Sequence, residues 1–221
     1  MAVQLVLASQ SPRRKELLER IGFTIRTIPA DVDEATREGE IPMEYVKRLA
    51  RQKVLAVVER LQTTTSNLAD SSQMNQGSGI LASQKDALTR WVVGADTVVV
   101  LEGELLGKPT DQDHAFDMLQ RLSGREHKVI TGFCIFDLLK NKEGLQAVVS
   151  TVRFKRLARP EIEKYLGTGE SLDKAGAYAV QGIGAYMIDS IQGSYTNVVG
   201  LPLCQMMEML EEMGATDILP Y

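Results

Sequence analysis

The sequence predicts a mixed α/β fold in which a twisted sheet is flanked by helices. Strand-like apolar runs and amphipathic helical segments follow one another along the whole chain. The most apolar run, Trp91–Leu101, is apolar on both faces, which is typical of a strand that is covered on both sides. Two long strand-like runs, 128–138 and 145–157, are joined by a Lys-Asn-Lys-Glu-Gly turn. Because strands and helices do not alternate strictly as β-α-β, we expect a mixed sheet.

Capping residues and periodicity mark the elements of the first half. Ser11 and Pro12 are residue types that begin a helix, and Gly22 is the type that ends one. Farther on, apolar residues at helical spacing predict a long amphipathic helix. In order, we expect a strand at 3–8, a helix at 12–21, a strand at 24–28, a helix at 43–61 and the strand Trp91–Leu101.

Residues 63–89 separate the long helix from the third strand and differ from the rest in composition. They are polar and rich in Ser, Thr, Gln and Gly, which predicts a flexible surface insertion. We interpret residues 1–221 as one domain that carries this insertion. A disordered loop and a partner-binding element are both open interpretations of its role.

The elements of the second half follow from the same signals. Asp111 has the residue type of an N-cap before a helical segment. We expect a turn at 102–103 into a short strand at 105–106, a helix at 111–122, the strand pair, a helix at 160–166, a Gly-rich interrupted region at 173–200 and a helix at 203–213.

Composition and charge argue against several classes of protein. The 221 residues are 44% hydrophobic and 24% charged, which is enough for a large core. A net charge of −4 and a pI of about 5.4 argue against broad nucleic-acid binding, since that needs a basic face. No run reaches the roughly 18 apolar residues that span a bilayer, so we expect no membrane partner. The first residues show no signal-peptide pattern, and we expect a cytoplasmic protein.

The cysteines and histidines predict no metal or catalytic cluster. Cys134 and Cys204 are far apart in sequence, which favours reduced core thiols. His114 and His127 have no ligand-like neighbours. The sequence also lacks a GxSxG elbow, a P-loop and a GxGxxG turn that opens a helix, so the corresponding chemistries have no support.

A phosphate receptor is predicted where the first strand meets the first helix. Residues 9–14 read Ser-Gln-Ser-Pro-Arg-Arg, with Ser11 as the N-cap. Arg13, Arg14 and Lys15 then place three cations at a helix end that already carries partial positive charge. An anion makes this arrangement favourable, because free N–H groups, serine hydroxyls and guanidinium groups together hold phosphate. A solvated basic helix start is the alternative interpretation.

Asp96 is the strongest chemical signal, because it lies in the doubly apolar strand Trp91–Leu101. An ionised carboxylate without a partner costs several kcal/mol or more in such a place. Asp96 therefore needs a metal, a cation or a function, and an aspartate that is paired with a backbone turn is the alternative. Gly94 beside it permits a close approach of backbone or ligand.

Two lysines also stand out. On the long helix, Lys53 falls within about 20° of Val46 on the apolar stripe, so it either extends along the edge of the core or points into a cleft. Lys108 stands in a Gly-Lys-Pro sequence just after the hairpin that follows the Asp96 strand. That hairpin can fold Lys108 back beside the carboxylate, and an exposed turn lysine is the alternative.

Two further segments can contribute to a ligand site. Glu34 ends an acidic turn, and near a phosphate receptor it can hold a divalent cation, since Mg²⁺ takes one or two carboxylates together with phosphates and waters. A solvated acidic turn is the alternative. In 173–182, small residues let the backbone approach a flat ligand, and Gln181 offers a donor and an acceptor to a nucleobase edge. A structural turn explains this segment equally well.

Seven segments carry a resemblance that extends in order over nearly the whole chain. They are LASQSPRRKELL at 7–18, RLARQK at 48–53, VGADTV at 93–98, GKP at 107–109, LSGR at 122–125, DKAGAYAVQG at 173–182 and GSYTNVVGLP at 193–202. Together they resemble the Maf family of nucleoside triphosphate pyrophosphatases. The segment 173–182 resembles the branch of that family that hydrolyses dTTP and UTP.

The resemblance implies hydrolysis of the α–β phosphoanhydride to a nucleoside monophosphate and pyrophosphate. It also implies two lobes around a cleft in an inosine-triphosphatase-like fold, a homodimer, and a divalent cation, Mg²⁺ or Mn²⁺. The implied roles are proton acceptor for Asp96, catalysis for Lys53 and Lys108, phosphate binding for Ser11, Arg13 and Arg14, specificity for Arg13, Thr97 and Gln181, and metal binding for Glu34 and Asp96.

Two other functions stay open from the sequence. The Maf family has been associated with inhibition of septum formation, so the chain is alternatively a nucleotide-responsive regulator of cell division with incidental turnover. A purine-directed enzyme of the inosine triphosphatase type is the other alternative, against which Gln181 and the segment 173–182 argue. Asp96 favours an enzyme, because a carboxylate beside a phosphate site opposes simple anion binding.

Overall fold

The computed structural model describes residues 4–72, 90–215 and 218–219. The strands are β1 (Gln4–Leu7), β2 (Thr24–Thr27), β3 (Trp91–Leu101), β4 (Glu104–Leu106), β5 (Glu126–Asp137), β6 (Lys142–Phe154) and β7 (Ile188–Gln192). The α-helices are α1 (Pro12–Arg20), α2 (Pro42–Ser72), α3 (Gln112–Leu122), α4 (Arg159–Leu166), α5 (Tyr195–Val199) and α6 (Leu203–Glu212). Two 3₁₀ turns cover Ala175–Ala177 and Ile183–Met187.

The described strands form one mixed sheet in the order β2-β1-β3-β5-β6-β7, with β4 paired to β3. Strand β1 is parallel to both of its neighbours, and every other pair is antiparallel. The predicted mixed sheet flanked by helices is therefore confirmed. Of the helices in the described ranges, none is both long and apolar enough to cross a bilayer.

The long helix is where the structure departs most from the sequence prediction. Helix α2 continues to Ser72 and does not end at residue 61. The hydroxyls of Thr63 and Thr64 donate hydrogen bonds to the carbonyls four residues earlier, at 2.9 and 2.8 Å. Residues 63–72, which we assigned to a flexible surface insertion, thus continue the helix, because polar composition does not distinguish an exposed helix from a loop. The rest of the predicted insertion, 73–89, lies outside the described residues.

Helix α2 covers one face of the sheet along the length of β3. Successive residues of a strand point to opposite faces. Val92 and Val98 of β3 therefore lie on the α2 side, in apolar clusters with Val54 and Val46 respectively. Asp96 has the same parity as these valines, so the strand presents its carboxylate to α2.

The opposite face of the sheet carries two apolar clusters, one toward each end of β3. The first cluster contains Val93 and the buried side chains of α1 and α6, and the second contains Val99 and the buried side chains of α3 and α4. The polar residues Thr97 and Thr131 lie opposite each other in register between the two clusters. The two clusters thus lie on the same face of the sheet, on either side of this pair of threonines.

Two glycines let α2 lie directly on the sheet. A Cβ on Gly94 would come within 2.7 Å of the Val54 side chain and 3.2 Å of the Ala50 carbonyl oxygen. A Cβ on Gly132 would come within 2.5 Å of the backbone carbonyl of Val46. The expected close approach at Gly94 is therefore made by helix α2, through the Val54 side chain and the Ala50 carbonyl. Since Gly132 is the register partner of Asp96, the same contact brings α2 over the carboxylate.

Gly132→Ala should lower the free energy of unfolding by about 1–3 kcal/mol, because the new methyl group overlaps helix backbone that cannot rotate away. Urea unfolding followed by circular dichroism measures this change. Gly167→Ala is the matched control, since its Cβ would lie at an ordinary 3.4 Å from the nearest atom. Equal stability of the two variants would contradict the close approach of α2.

Candidate active site

The turn between β1 and α1 forms the predicted helix start. Ser11 is the N-cap, and its hydroxyl accepts a hydrogen bond from the Arg14 N–H at 3.5 Å. The first turn of α1 contains no acidic residue. The first turn therefore supplies no carboxylate that compensates Arg13 and Arg14, whereas Lys15 pairs with Glu19 one turn farther along the helix, at 3.5 Å.

Arg14 is held in place by three hydrogen bonds to groups outside α1. Its Nε donates to the Gly200 carbonyl at 2.8 Å, and its two Nη atoms donate to the Ser9 and Thr97 hydroxyls at 3.1 and 3.0 Å. Burial lowers the pKa of Arg14, and Asp96 and Glu34 oppose this effect. The guanidinium stays cationic because its ordinary pKa lies far above neutrality. With three of its five N–H groups used by these bonds, two remain for an anion.

Lys53 is the partner of the buried carboxylate. Its Nζ lies 2.6 Å from Asp96 Oδ1 and 2.8 Å from Glu34 Oε1. Both Lys53 and Asp96 are only 9% exposed. Of the two interpretations of Lys53, the structure thus supports a lysine that points toward a site. Asp96 Oδ2 accepts no hydrogen bond within the described ranges, so this oxygen is available to a ligand or a water.

Glu34, on the loop between β2 and α2, is the third member of the charged group that includes Lys53 and Asp96. Burial by itself would raise the pKa of Glu34, but Lys53, then Lys108 and Arg14, hold it below its ordinary value. The carboxylate is therefore ionised at neutral pH. Three cations from three different parts of the chain act on this one acidic group.

Lys108 acts on the site through its charge and not by a direct contact. It is exposed, follows β4, and acts on Glu34 through its charge. Among the described residues it forms no ion pair with Asp96, so of the two interpretations the structure supports the exposed turn lysine. The turn that carries it is tied to the segment 173–182, because the Gly176 N–H donates to the Gly107 carbonyl at 3.0 Å.

The segment 173–182 adjoins the turn that carries Lys108 and lies within electrostatic reach of Arg13. The pKa of Asp173 is lowered against the effect of burial, first by Lys174 and to a smaller extent by Arg13. Arg13 is therefore close enough to the segment to act on Asp173 through its charge. Gln181 is partly buried, and its side-chain amide makes no hydrogen bond to any described residue. Its donor and acceptor are thus free to meet a ligand.

A buried aromatic cluster anchors this segment to the sheet. The rings of His127, Phe154 and Tyr178 pack edge to face, with centroids 4.7–5.4 Å apart. His127 Nε2 and the Tyr178 hydroxyl are hydrogen bonded at 2.8 Å. Burial lowers the pKa of His127 to about 4, so the imidazole is neutral at pH 7. Sequence reasoning found no role for this histidine, and the structure gives it an anchoring one.

Sequence reasoning also missed a polar network beneath Arg14. The Thr97 and Thr131 hydroxyls are hydrogen bonded at 2.9 Å, and Thr131 donates to the Asn197 carbonyl at 3.0 Å. Asn197 Nδ2 donates to the Val129 carbonyl and the Ser150 hydroxyl, at 3.1 and 2.9 Å. Thr131 and Asn197 are fully buried. A polar residue in the apolar run 128–138 was the only sequence signal for this network.

The geometry suits an anionic ligand whose reaction needs a carboxylate. Arg14 acts through its charge on Asp96 and Glu34, and Lys108 on Glu34, so several cations can neutralise a polyphosphate. The oxygens of Glu34 and Asp96 converge on one ammonium nitrogen, and carboxylate oxygens are also the ligand type that a divalent cation takes. The described residues contain no cluster of three or more metal-ligating side chains. Mg²⁺ does not require one, because it keeps waters and takes phosphate oxygens as ligands.

Comparisons with known proteins agree over the length of the chain. Residues 4–213 match the family described as Maf-like protein. The chain is 43% identical over 214 residues to a protein of Syntrophotalea carbinolica named dTTP/UTP pyrophosphatase, which covers 97% of this chain and 86% of that one. A Geobacter sulfurreducens protein with the same name is 44% identical over 214 residues, covering 96% of this chain and 97% of that one.

A similar solved structure is that of the Ham1 protein from Staphylococcus aureus. Its TM-score is 0.46 at 13% identity, with 95% of this chain and 99% of that chain covered. This similarity is too low to support any inference about activity.

Lys53→Met should lower the free energy of unfolding by about 3–5 kcal/mol, because it leaves Asp96 as an unpaired buried charge. Adding Asp96→Asn to the same chain should recover most of that loss, since no buried charge is then left without a partner. Urea unfolding of the wild type and both variants measures the difference. A Lys53→Met protein as stable as the wild type would show that the pair is not buried.

Stability should fall as the pH falls from about 6.5 to about 4, in part because of His127. In this range the unfolded chain binds a proton on His127 that the folded chain excludes, so acid favours unfolding. His127→Gln should make the pH dependence shallower. Urea unfolding at pH 7 and pH 5 tests this, with His114→Gln, on the exposed surface, as the control. An unchanged slope in His127→Gln would rule out this contribution.

Proposed function

This chain belongs to the Maf family, and from that premise we propose that it hydrolyses nucleoside triphosphates, with dTTP and UTP as its substrates. Water attacks the α-phosphorus, the α–β phosphoanhydride breaks, and a nucleoside monophosphate and pyrophosphate leave. The observation that carries the proposal is the Asp96 carboxylate, held by Lys53 at 2.6 Å beneath a group of cations. The names of relatives at 43% and 44% identity support the choice of substrates.

Asp96 is the proton acceptor in this mechanism. Lys53 donates its hydrogen bond to Oδ1, which orients the carboxylate and leaves Oδ2 to take the proton of the attacking water. A general base of this kind contributes typically about 10²–10⁴-fold to a rate. The carboxylate is placed on a central strand of the sheet, so its position does not depend on a mobile segment.

The cations bind the substrate and neutralise the charge that develops on the phosphates. Phosphoryl transfer depends on positioning and charge stabilisation more than on covalent chemistry. Arg14 offers its two remaining N–H groups in a fixed orientation, and Ser11 and Arg13 stand at the same helix end. Lys108 approaches from the turn after β4. Lys53 and Lys108 are the cations that we place next to the reacting phosphate.

Glu34 and Asp96 would hold a divalent cation, Mg²⁺ or Mn²⁺, which when bound neutralises charge on the phosphate oxygens. Their oxygens already converge on Lys53 Nζ, at 2.8 and 2.6 Å. In the absence of substrate, Lys53 supplies the positive charge that both carboxylates need.

The base of the nucleotide would be recognised between Gln181 and Arg13. Gln181 has a free amide, and Arg13 acts on Asp173 of the segment 173–182 through its charge. Thr97 contributes differently, because its hydroxyl already accepts the Arg14 bond and contacts Thr131. We therefore assign Thr97 an effect on specificity that acts through the orientation of Arg14. A homodimer and a cytoplasmic location also belong to this proposal.

An enzyme is favoured over a nucleotide-responsive regulator by Asp96. A site that only binds triphosphate gains nothing from a buried carboxylate among its cations, since that charge repels the ligand. The same carboxylate is needed for proton transfer.

Pyrophosphate release from dTTP, UTP, CTP, dATP, GTP, ITP and 7-methyl-GTP tests the proposed function. We expect pyrophosphate release to be fastest from dTTP and UTP, and we expect EDTA to abolish it. Asp96→Asn should lower kcat by about 10²–10⁴-fold without unfolding the protein, because the amide cannot accept the proton.

Asp189→Asn, the same change at an exposed carboxylate, is the control and should keep full activity. Near-normal turnover by Asp96→Asn would overturn its role. Tight binding of triphosphate without any product would favour the regulator, and a lead by ITP would favour the purine-directed enzyme.

A further inference from the structure

Glu34 lies in a loop whose shape is not set by regular secondary structure. Residues 28–41 connect β2 to α2 and contain no helix or strand. The Glu34 carboxylate nevertheless lies 2.8 Å from Lys53 Nζ, although its side chain is 51% exposed. An exposed side chain on an irregular loop keeps such a position only if other contacts hold the loop.

Two side chains near the start of α2 hold the two peptide units that follow the Glu34 Cα. The Tyr45 hydroxyl donates to the Glu34 carbonyl at 2.8 Å. Arg48 Nη2 donates to the carbonyl of the next residue, Ala35, at 2.9 Å. Two consecutive peptide units are thus attached to the same helix that carries Lys53.

Arg48 also ties down the far end of the loop. Its Nε and Nη2 bind the two oxygens of Glu40 at 2.6 and 2.7 Å, which is a bidentate pair. The two side chains are only 13% and 9% exposed. The Arg48 guanidinium lies 5.4 Å from the centroid of the Tyr45 ring, so the two anchors also contact each other.

Glu40 in turn orders the loop between its two ends. Its Oε2 accepts a hydrogen bond from the Arg37 N–H at 3.2 Å, and Asp33 Oδ1 accepts one from the Ala35 N–H at 2.9 Å. The pKa of Glu40 lies below its ordinary value, chiefly because of its hydrogen bonds to Arg48. The bidentate pair is therefore fully charged at neutral pH.

We propose that Arg48, together with Tyr45 and Glu40, is a positioning clamp that holds the Glu34 carboxylate against Lys53 in the active site. The clamp residues do not touch the reacting groups and act through the loop. The inference rests on the proposed function for its effect on turnover. The local part, that Arg48 orders residues 28–41, stands on the contacts alone.

The matched control is a second arginine on the same helix. Arg51 forms a comparable pair with Glu143, with its Nε at 2.7 and 3.0 Å from the two carboxylate oxygens. Glu143 belongs to β6, far in sequence from the loop. Arg51→Gln therefore removes a similar ion pair from α2 without touching residues 28–41.

The experiment compares Arg48→Gln with Arg51→Gln in pyrophosphate release from dTTP. Arg48→Gln should lower kcat/KM by about 10- to 100-fold, the size of loss that a misplaced catalytic group produces. Arg51→Gln should stay within about twofold of the wild type, as expected for an exposed pair. Equal losses in the two variants would overturn the clamp, because they would reflect a general effect on α2.

A double-mutant cycle shows whether Arg48 acts through Glu34. In a Glu34→Gln background, Arg48→Gln should cause little further loss, because the carboxylate that it positions is already gone. A merely structural role predicts that the two losses multiply, which would contradict the proposal.

Amide hydrogen exchange measures how well the loop 28–41 is ordered and does not depend on turnover. In Arg48→Gln, the amides of Ala35 and Arg37 should exchange faster, while those of β3 stay protected. Unchanged exchange in the loop would overturn the proposal. A wild-type protein that releases no pyrophosphate would overturn the proposed function, and loop exchange would still decide whether Arg48 holds Glu34.

A milder variant covers the case in which Arg48→Gln does not fold. Tyr45→Phe removes only the hydroxyl that donates to the Glu34 carbonyl and keeps the ring beside Arg48. It should lower kcat/KM in the same direction and to a smaller extent, again without further effect in the Glu34→Gln background. Full activity of Tyr45→Phe would argue against the clamp.

Discussion

The contact between Lys53 and Asp96 constrains much of the rest of the molecule. An ion pair that is nine-tenths buried between a helix and a sheet requires the two to approach closely, since a gap would leave both charges without a partner. Gly94 and Gly132 permit that approach, because any side chain there would meet the backbone or side chains of α2. A buried pair of this kind adds little net stability. Its value lies in the fixed orientation of a carboxylate that keeps one oxygen free.

The two apolar clusters on the face of the sheet opposite α2 meet along a polar seam. Arg14, Thr97, Thr131 and Asn197 form a chain of hydrogen bonds that connects α1, β3, β5 and α5. Each buried polar atom in this chain requires its neighbour, because an unpaired one costs free energy. The seam therefore sets the orientation of Arg14 before any ligand binds. Such preorganisation reduces the conformational entropy that is lost when a ligand binds.

The two irregular segments of the site are held by side chains from regular elements. The loop with Glu34 is attached to α2 through Tyr45 and Arg48, and the segment with Gln181 is attached to β5 through His127. In both cases the anchor is buried or shielded, whereas the residue that we propose to face the ligand is more exposed. The regular elements thus form a rigid support for the two irregular segments that we propose to contact the ligand.

Local signals in the sequence determined much of this protein. Capping residues placed the start of α1, periodicity placed the long helix, and the apolar run around Asp96 predicted a buried carboxylate that needs a partner. The order of the seven resembling segments identified the family. Each of these signals lies within a few residues of the feature that it predicts, because caps, turns and amphipathic faces depend on neighbours in the chain.

Only the tertiary structure decided which residues meet. It selected Lys53, and not Lys108, as the contact of Asp96, and it attached Arg14 to Gly200, which lies 186 residues away. It also continued α2 beyond residue 61, where a polar exposed helix and a loop have the same composition, and it gave His127, Arg48 and Asn197 their roles. These contacts depend on the order of the strands and on where α2 crosses them. A local pattern contains neither, because both are set by how the whole sheet closes around its two cores.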